Sequence, residues 1–155
     1  MITTYRAATR KDGNMSELTA TIREEIQALC AEGYTLYDNA DYPHALRKFY
    51  QAWMLLPKPQ TDFKEGGWIL TAIGDSYFRS AQYEQGKEAL TSALHCEGMI
   101  DNPFIHLRLG QCLLELNTAS AACTHLGIAH ERGGSKLFEK EAPKYLIAAL
   151  QSDSL

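Results

Sequence analysis

The residues of this 155-residue chain with chemistry suited to catalysis or metal binding are four cysteines, five histidines and an aspartate, Asp75, set beside Gly74. Thiols do redox or metal work in close pairs, but Cys30, Cys96, Cys112 and Cys123 form no CxxC motif. Each falls in a stretch that reads as helix, where a cysteine serves as a small hydrophobe. His125 and His130 are five apart, off the i, i+4 spacing that places two ligands on one helical face. The sequence contains no glycine-rich phosphate loop, HExxH or GxSxG, and no cysteine–histidine context that would activate a thiol. Asp75 could serve as a general base only with a partner, and its surroundings suggest none. The expectation is a non-enzymatic protein without cofactor or metal.

The positions of the other polar and aromatic groups depend on a repeat. Three segments align on their glycines: Gly33 to Pro57, Gly74 to Gly98, and Gly110 to Gly134. Each has a small residue twelve after the glycine, a large apolar residue four after that, and an alanine three further on. In order these are Gly33, Ala45, Phe49, Ala52; Gly74, Gly86, Leu90, Ala93; and Gly110, Ala122, Leu126, Ala129. A glycine on one helix and a small residue on the next let two antiparallel helices approach closely. The apolar residue and the alanine lie on one stripe of the second helix.

This pattern resembles the tetratricopeptide repeat, a helical hairpin of ~34 residues. The resemblance implies an all-α fold, an α-α superhelix of three hairpins with an extended N-terminal helix and a C-terminal capping helix. With the glycine at position eight, the repeats cover 26–59, 67–100 and 103–136. One domain is expected over 14–155, preceded by a flexible 1–13, and the cap over 135–150 covers the last repeat, which cannot bury its own face alone. Asn14 with Glu17 reads as a capping box that starts the first helix early. Asp41 or Tyr42 before Pro43, Asn102 before Pro103, Thr118 and Ser135 mark further helix starts. Gly133-Gly134 stops a helix, and Pro143 kinks or splits the last one. The spacing between glycines, 74 − 33 = 41 and 110 − 74 = 36, gives the first linker extra length that can extend the first helix of repeat two backwards.

In such a stack the first helix of each repeat lines the concave face, and the resemblance places positions 2, 5, 9 and 12 there. With the polar groups Asp38, Arg79 and Arg108 at or near the same face, the partner-binding set is Tyr34, Tyr37, Asp38, Trp68, Thr71, Asp75, Phe78, Arg79, Phe104, Leu107, Arg108 and Gln111. Gln27, Cys30 and Leu114 share the face and Glu115 lies near it. Aromatic side chains are the usual anchors of protein interfaces, and charges beside them fix the register of a partner. The lysine and asparagine with which one subclass of these repeats grips a C-terminal carboxylate are replaced here by Cys30 and Tyr34. No carboxylate clamp of that kind is expected.

Three longer runs, 68–78 (WILTAIGDSYF), 101–112 (DNPFIHLRLGQC) and 137–146 (LFEKEAPKYL), resemble short bacterial tetratricopeptide proteins encoded beside polymorphic toxins of the rearrangement-hotspot (Rhs) and contact-dependent-inhibition type. That resemblance implies an immunity protein that occludes a toxin. The alternative from another class is a secretion chaperone or adaptor that holds an effector segment in the groove. A third is homo-oligomerisation through the same aromatic face.

Composition agrees with a protein partner. The formal net charge of −4 offers no attraction to nucleic acid or an anionic membrane and suits a basic partner instead. No run reaches the length of a membrane span, and the first residues lack the apolar core of a secretory signal. The expectation is a cytoplasmic protein, monomer or weak homodimer, that binds a toxin or effector domain.

Overall fold

The computed structural model describes residues 9–11 and 15–151. Among the described residues seven α-helices follow a two-stranded ribbon: β1 Thr9–Lys11, β2 Met15–Glu17, α1 Ala20–Asp38, α2 Tyr42–Leu55, α3 Lys64–Arg79, α4 Tyr83–Leu94, α5 Pro103–Glu115, α6 Ala119–Gly133 and α7 Pro143–Gln151. Short 3-10 turns cover Gln60–Asp62 and Ser135–Phe138. The helices pair as three antiparallel hairpins, α1 with α2, α3 with α4 and α5 with α6, and α7 packs on α6. This is the all-α superhelix that the repeat spacing implies.

The seam of each hairpin is made by the residues at fixed offsets. A Cβ placed on Gly33 would lie 2.5 Å from the Phe49 ring, one on Gly74 2.4 Å from Leu90 Cγ, and one on Gly110 2.6 Å from Leu126 Cγ. The glycine is therefore a hole filled by the apolar residue sixteen positions later. The small residue serves a different contact. A Cβ on Gly86 would meet Cys112 Sγ of the next hairpin at 2.9 Å and the Gly74 carbonyl oxygen at 3.4 Å, so its lack of a side chain admits two helices at once.

Each hairpin also turns in the same way. Ala40, Ala81 and Asn117, each seven residues after its glycine, have φ of 60°, 60° and 63°. In each turn the following amide donates back to a carbonyl in the last helical turn: Asp41 to Leu36, Gln82 to Tyr77 and Thr118 to Leu113. These are left-handed helix terminations that satisfy orphan carbonyls, built here without glycine.

Several expected helix boundaries hold and two move. Asp41 caps α2 by accepting from the His44 amide, and Asn102 caps α5 by accepting from Phe104 and Ile105. Thr118 occupies the cap position of α6 without a side-chain bond. The Asn14–Glu17 capping box is corrected: α1 begins at Ala20, capped by the Thr19 hydroxyl on the Ile22 amide, while Glu17 pairs with Thr9 in the ribbon. Asn14 itself lies outside the described residues, as does the expected flexible stretch 1–13 apart from β1. Ser135 opens a 3-10 turn and not the last helix. Pro143 splits the cap by starting α7 at its first position, where a missing N–H costs nothing. The longer first linker does extend α3 backwards: it begins ten residues before Gly74, whereas α5 begins seven before Gly110.

The core runs through the stack from Leu18, Ile22 and Ile26 to Leu113 and Ala122. A second cluster joins Leu107, Leu126 and Ala129 to Phe138, Tyr145 and Ala149 of the cap. No helix among the described residues is long and apolar enough to cross a membrane.

Candidate functional site

Along the inner face, α3 and α5 stand close while α1 and α3 part, and a groove of ≈ 520 Å³ opens between them. The floor is apolar, with Ile26 of α1 and Ile69 of α3 buried. Tyr34 and Trp68 form the walls and keep 45% and 54% of their surface exposed. The Tyr34 ring is held edge-on against Phe49 at 5.0 Å and Tyr37 at 6.2 Å, so its position is set by the α1–α2 seam. Burial, and then the Asp75 charge, push its phenol up to about 12, which leaves it a protonated hydrogen-bonding group at neutral pH. The Lys64 ammonium lies 5.7 Å from the centre of the Trp68 ring.

Two polar contacts cross from α3 to α1 and bracket this stretch. At the N-terminal end Arg23 Nε reaches Glu65 Oε2 at 3.3 Å. At the other end Arg79 Nε donates to the Tyr37 hydroxyl at 3.0 Å. Asp38 is exposed beyond this second contact, and the Thr71 hydroxyl is turned onto its own helix, donating to the Gly67 carbonyl at 2.6 Å.

The remaining residues of the expected set are gathered elsewhere. Arg108 is 2% exposed and Gln111 0%. Arg108 Nε donates to Asp75 Oδ1 at 2.6 Å, and its Nη1 to Gln111 Oε1 and Glu141 Oε1, both at 2.8 Å. Gln111 Nε2 also donates to Glu141 Oε1 at 2.8 Å. Phe78 and Phe104 lie 4.9 and 4.8 Å from the guanidinium, so two rings and two carboxylates enclose one cation. Burial alone would lower the pKa of this guanidinium; Asp75 and Glu141 outweigh it and hold the group charged. Leu107 is buried beneath Phe138 and Tyr145. The cap therefore fills the third hairpin's inner face, and Leu107, Arg108, Gln111 and Asp75 are held in the interior instead of being presented to a partner.

Three features of the site lay outside the sequence reading. Glu65 and Arg23 fall just before the repeat frames at 67 and 26, and only the backward extension of α3 and α1 brings them to the groove. Glu141 lies in the cap, with nothing local to announce its partner. His106, buried on α5, has Nε2 2.7 Å from the Ile100 carbonyl oxygen and Nδ1 3.0 Å from His125 Nδ1 on α6. In the neutral pair His106 donates to the carbonyl and accepts from His125. The cysteines behave as hydrophobes: burial pushes Cys112 up to about 12 and Cys96 up to about 11, so neither is a thiolate at neutrality.

No family model matches this chain, and no curated protein does. Among solved structures it is similar to the Yersinia enterocolitica type III secretion chaperone SycD, crystallised in complex with a peptide of the translocator YopD. The TM-score is 0.60 at 17% identity, over 84% of this chain and 88% of that one. A second SycD structure, described as an alternative dimer, matches with the same score, identity and coverage. At that identity the likeness is one of fold.

Proposed function

We propose that this protein is a non-enzymatic binding module that holds an extended segment of another polypeptide in the α1–α3 groove, in the manner of a chaperone or adaptor. The observation that carries the reading is the pairing of a buried apolar floor, Ile26 and Ile69, with two exposed aromatic walls, Tyr34 and Trp68. The groove volume falls within the ~300–1,000 Å³ of binding sites, and rigid aromatics lose little entropy when they anchor a partner. Its α1 wall, from Arg23 to Tyr34, is about 16 Å long at ~1.5 Å per residue, which matches roughly five residues of extended chain. SycD, whose fold is similar, is seen with a translocator peptide. The polar groups farther along the inner face are bound to one another, and the buried Cys96 and Cys112 are not thiolates at neutrality, so the chemistry left for a ligand is contact.

The test is quantitative. The partner that co-purifies is cut to its minimal binding segment, and that segment is titrated calorimetrically against the protein. Trp68→Ala should weaken binding by about 2 kcal/mol, roughly thirtyfold, whereas Tyr50→Ala on α2 should leave it unchanged. Native affinity in Trp68→Ala would remove the groove from the mechanism.

Toxin neutralisation is the second reading, supported by the three longer sequence runs. Those runs meet in space: 68–78 supplies Asp75, 101–112 supplies Arg108 and Gln111, and 137–146 supplies Glu141 and Tyr145. They encode the buried ion cluster and cap, and so speak to shared architecture more than to the identity of a partner. Growth separates the readings. An immunity protein rescues cells that express the toxin encoded beside it, and a chaperone binds its client without rescue.

A further inference from the structure

Glu65 lines the groove, yet only 6% of it is exposed. Among the described residues its one hydrogen-bonding partner is Arg23, which reaches it through a single Nε contact of 3.3 Å and leaves 45% of its own side chain in solvent. A side chain this deeply placed needs polar compensation; its position in the first turn of α3 supplies part of it, and a cation at its oxygens supplies the rest. An arginine held by one long bond is a weak choice, because the guanidinium fork is best matched to a carboxylate by two parallel bonds. Holding that long, half-solvated side chain across the mouth also costs rotamer entropy. Trp68 lies one helical turn beyond Glu65, where its ring can cover the aliphatic stem of a basic side chain.

We propose that Glu65 is the specificity-determining residue of the groove and recognises one arginine or lysine of the bound segment, with Arg23 released to solvent as that cation arrives. The inference rests on the reading of the groove as a segment-binding site and names the chemistry of the segment: apolar residues around a single basic one. The stem of that residue lies over Ile26 and Ile69 beside Trp68, and its head replaces Arg23 on Glu65. The net charge of −4 draws cationic segments toward the molecule. Lys64, at the same mouth, limits the occupant to one cation, because a second would face it without a carboxylate.

Three capped pentapeptides serve as probes: leucine and alanine around a central arginine, glutamine or glutamate. Calorimetric titration of the full chain should show the arginine peptide binding about tenfold more tightly than the glutamine peptide, with the glutamate peptide weakest. Glu65→Gln, which keeps the shape and an acceptor for Arg23, should abolish the preference without altering the circular dichroism spectrum. Arg23→Gln, which removes the internal competitor, should tighten the arginine peptide severalfold and leave the glutamine peptide unchanged. Equal binding of the three peptides that still weakens in Trp68→Ala would overturn the role of Glu65 and leave the groove standing. Binding that is absent, or indifferent to Trp68→Ala, would overturn both. A preference for arginine that survives Glu65→Gln would also sink the proposal.

Discussion

At the scale of single residues, the inner face divides into side chains committed to the protein and side chains left for a ligand. Arg108 belongs to the first group, with Asp75, Glu141 and Gln111 around it and an aromatic ring at either side. Replacing it with methionine leaves two carboxylates buried without a cation, so Arg108→Met should lose about 3–5 kcal/mol in urea denaturation. Local pattern places Arg108 one position from a groove residue, and from that alone a solvated charge is the natural reading. Its burial is decided by Glu141, thirty-three residues later. The histidine pair gives a second prediction. Burial, and then the neighbouring His106, lower the His125 pKa below its ordinary 6.5. The unfolded chain then binds the proton more readily than the folded one, so stability falls as pH drops below 6.5. Urea midpoints measured between about pH 7 and pH 5 should decline, and His125→Asn should flatten that decline.

At the scale of elements, the hairpin is written twice into the chain: in the seam and in the turn. The seam was legible because it obeys fixed offsets, and each glycine faces the apolar residue sixteen positions later. Gly74→Ala drives a Cβ to within 2.4 Å of Leu90 Cγ, and should cost about 1–3 kcal/mol in equilibrium unfolding. The turn was less legible, because two of its left-handed residues are alanines, which give no signal in a search for glycine or asparagine. Ala40→Gly and Ala81→Gly should relieve that strain and raise stability by up to about 1 kcal/mol each, seen as higher denaturation midpoints. The N-terminal ribbon was missed for another reason. Asn14 and Glu17 have the spacing of a capping box, and Asp12-Gly13, a hairpin signal, lies beside them. Helix and ribbon compete for the same residues, and Thr19 supplies the cap that starts α1 at Ala20.

At the scale of the whole molecule, the cap closes the stack and shortens the usable groove. Phe138, Tyr145 and Ala149 cover Leu107, Leu126 and Ala129, and Glu115 accepts from Tyr145 and pairs with Lys144. A chain ended after residue 134 exposes this cluster and strips Glu141 from Arg108. It should unfold at lower urea and show association by light scattering, as a solenoid without its terminal cover does. What remains uncovered is the space between the first two hairpins, where the extra length of the first linker carries α3 back beside the start of α1.

The repeat, the three hairpins and the aromatic character of the inner face were legible in the sequence, because close helix packing demands small and large residues at set offsets along one chain. Tyr34 and Trp68 were found in this way, and they line the groove. Tertiary structure alone decided which of the remaining side chains stay open to a ligand. Leu107, Arg108 and Gln111 are covered by a segment whose docking no periodicity specifies, and Glu65 meets Arg23 across forty-two residues of chain. Periodicity reports which face of a helix a residue occupies; the later arrival of another element determines whether that face remains a surface.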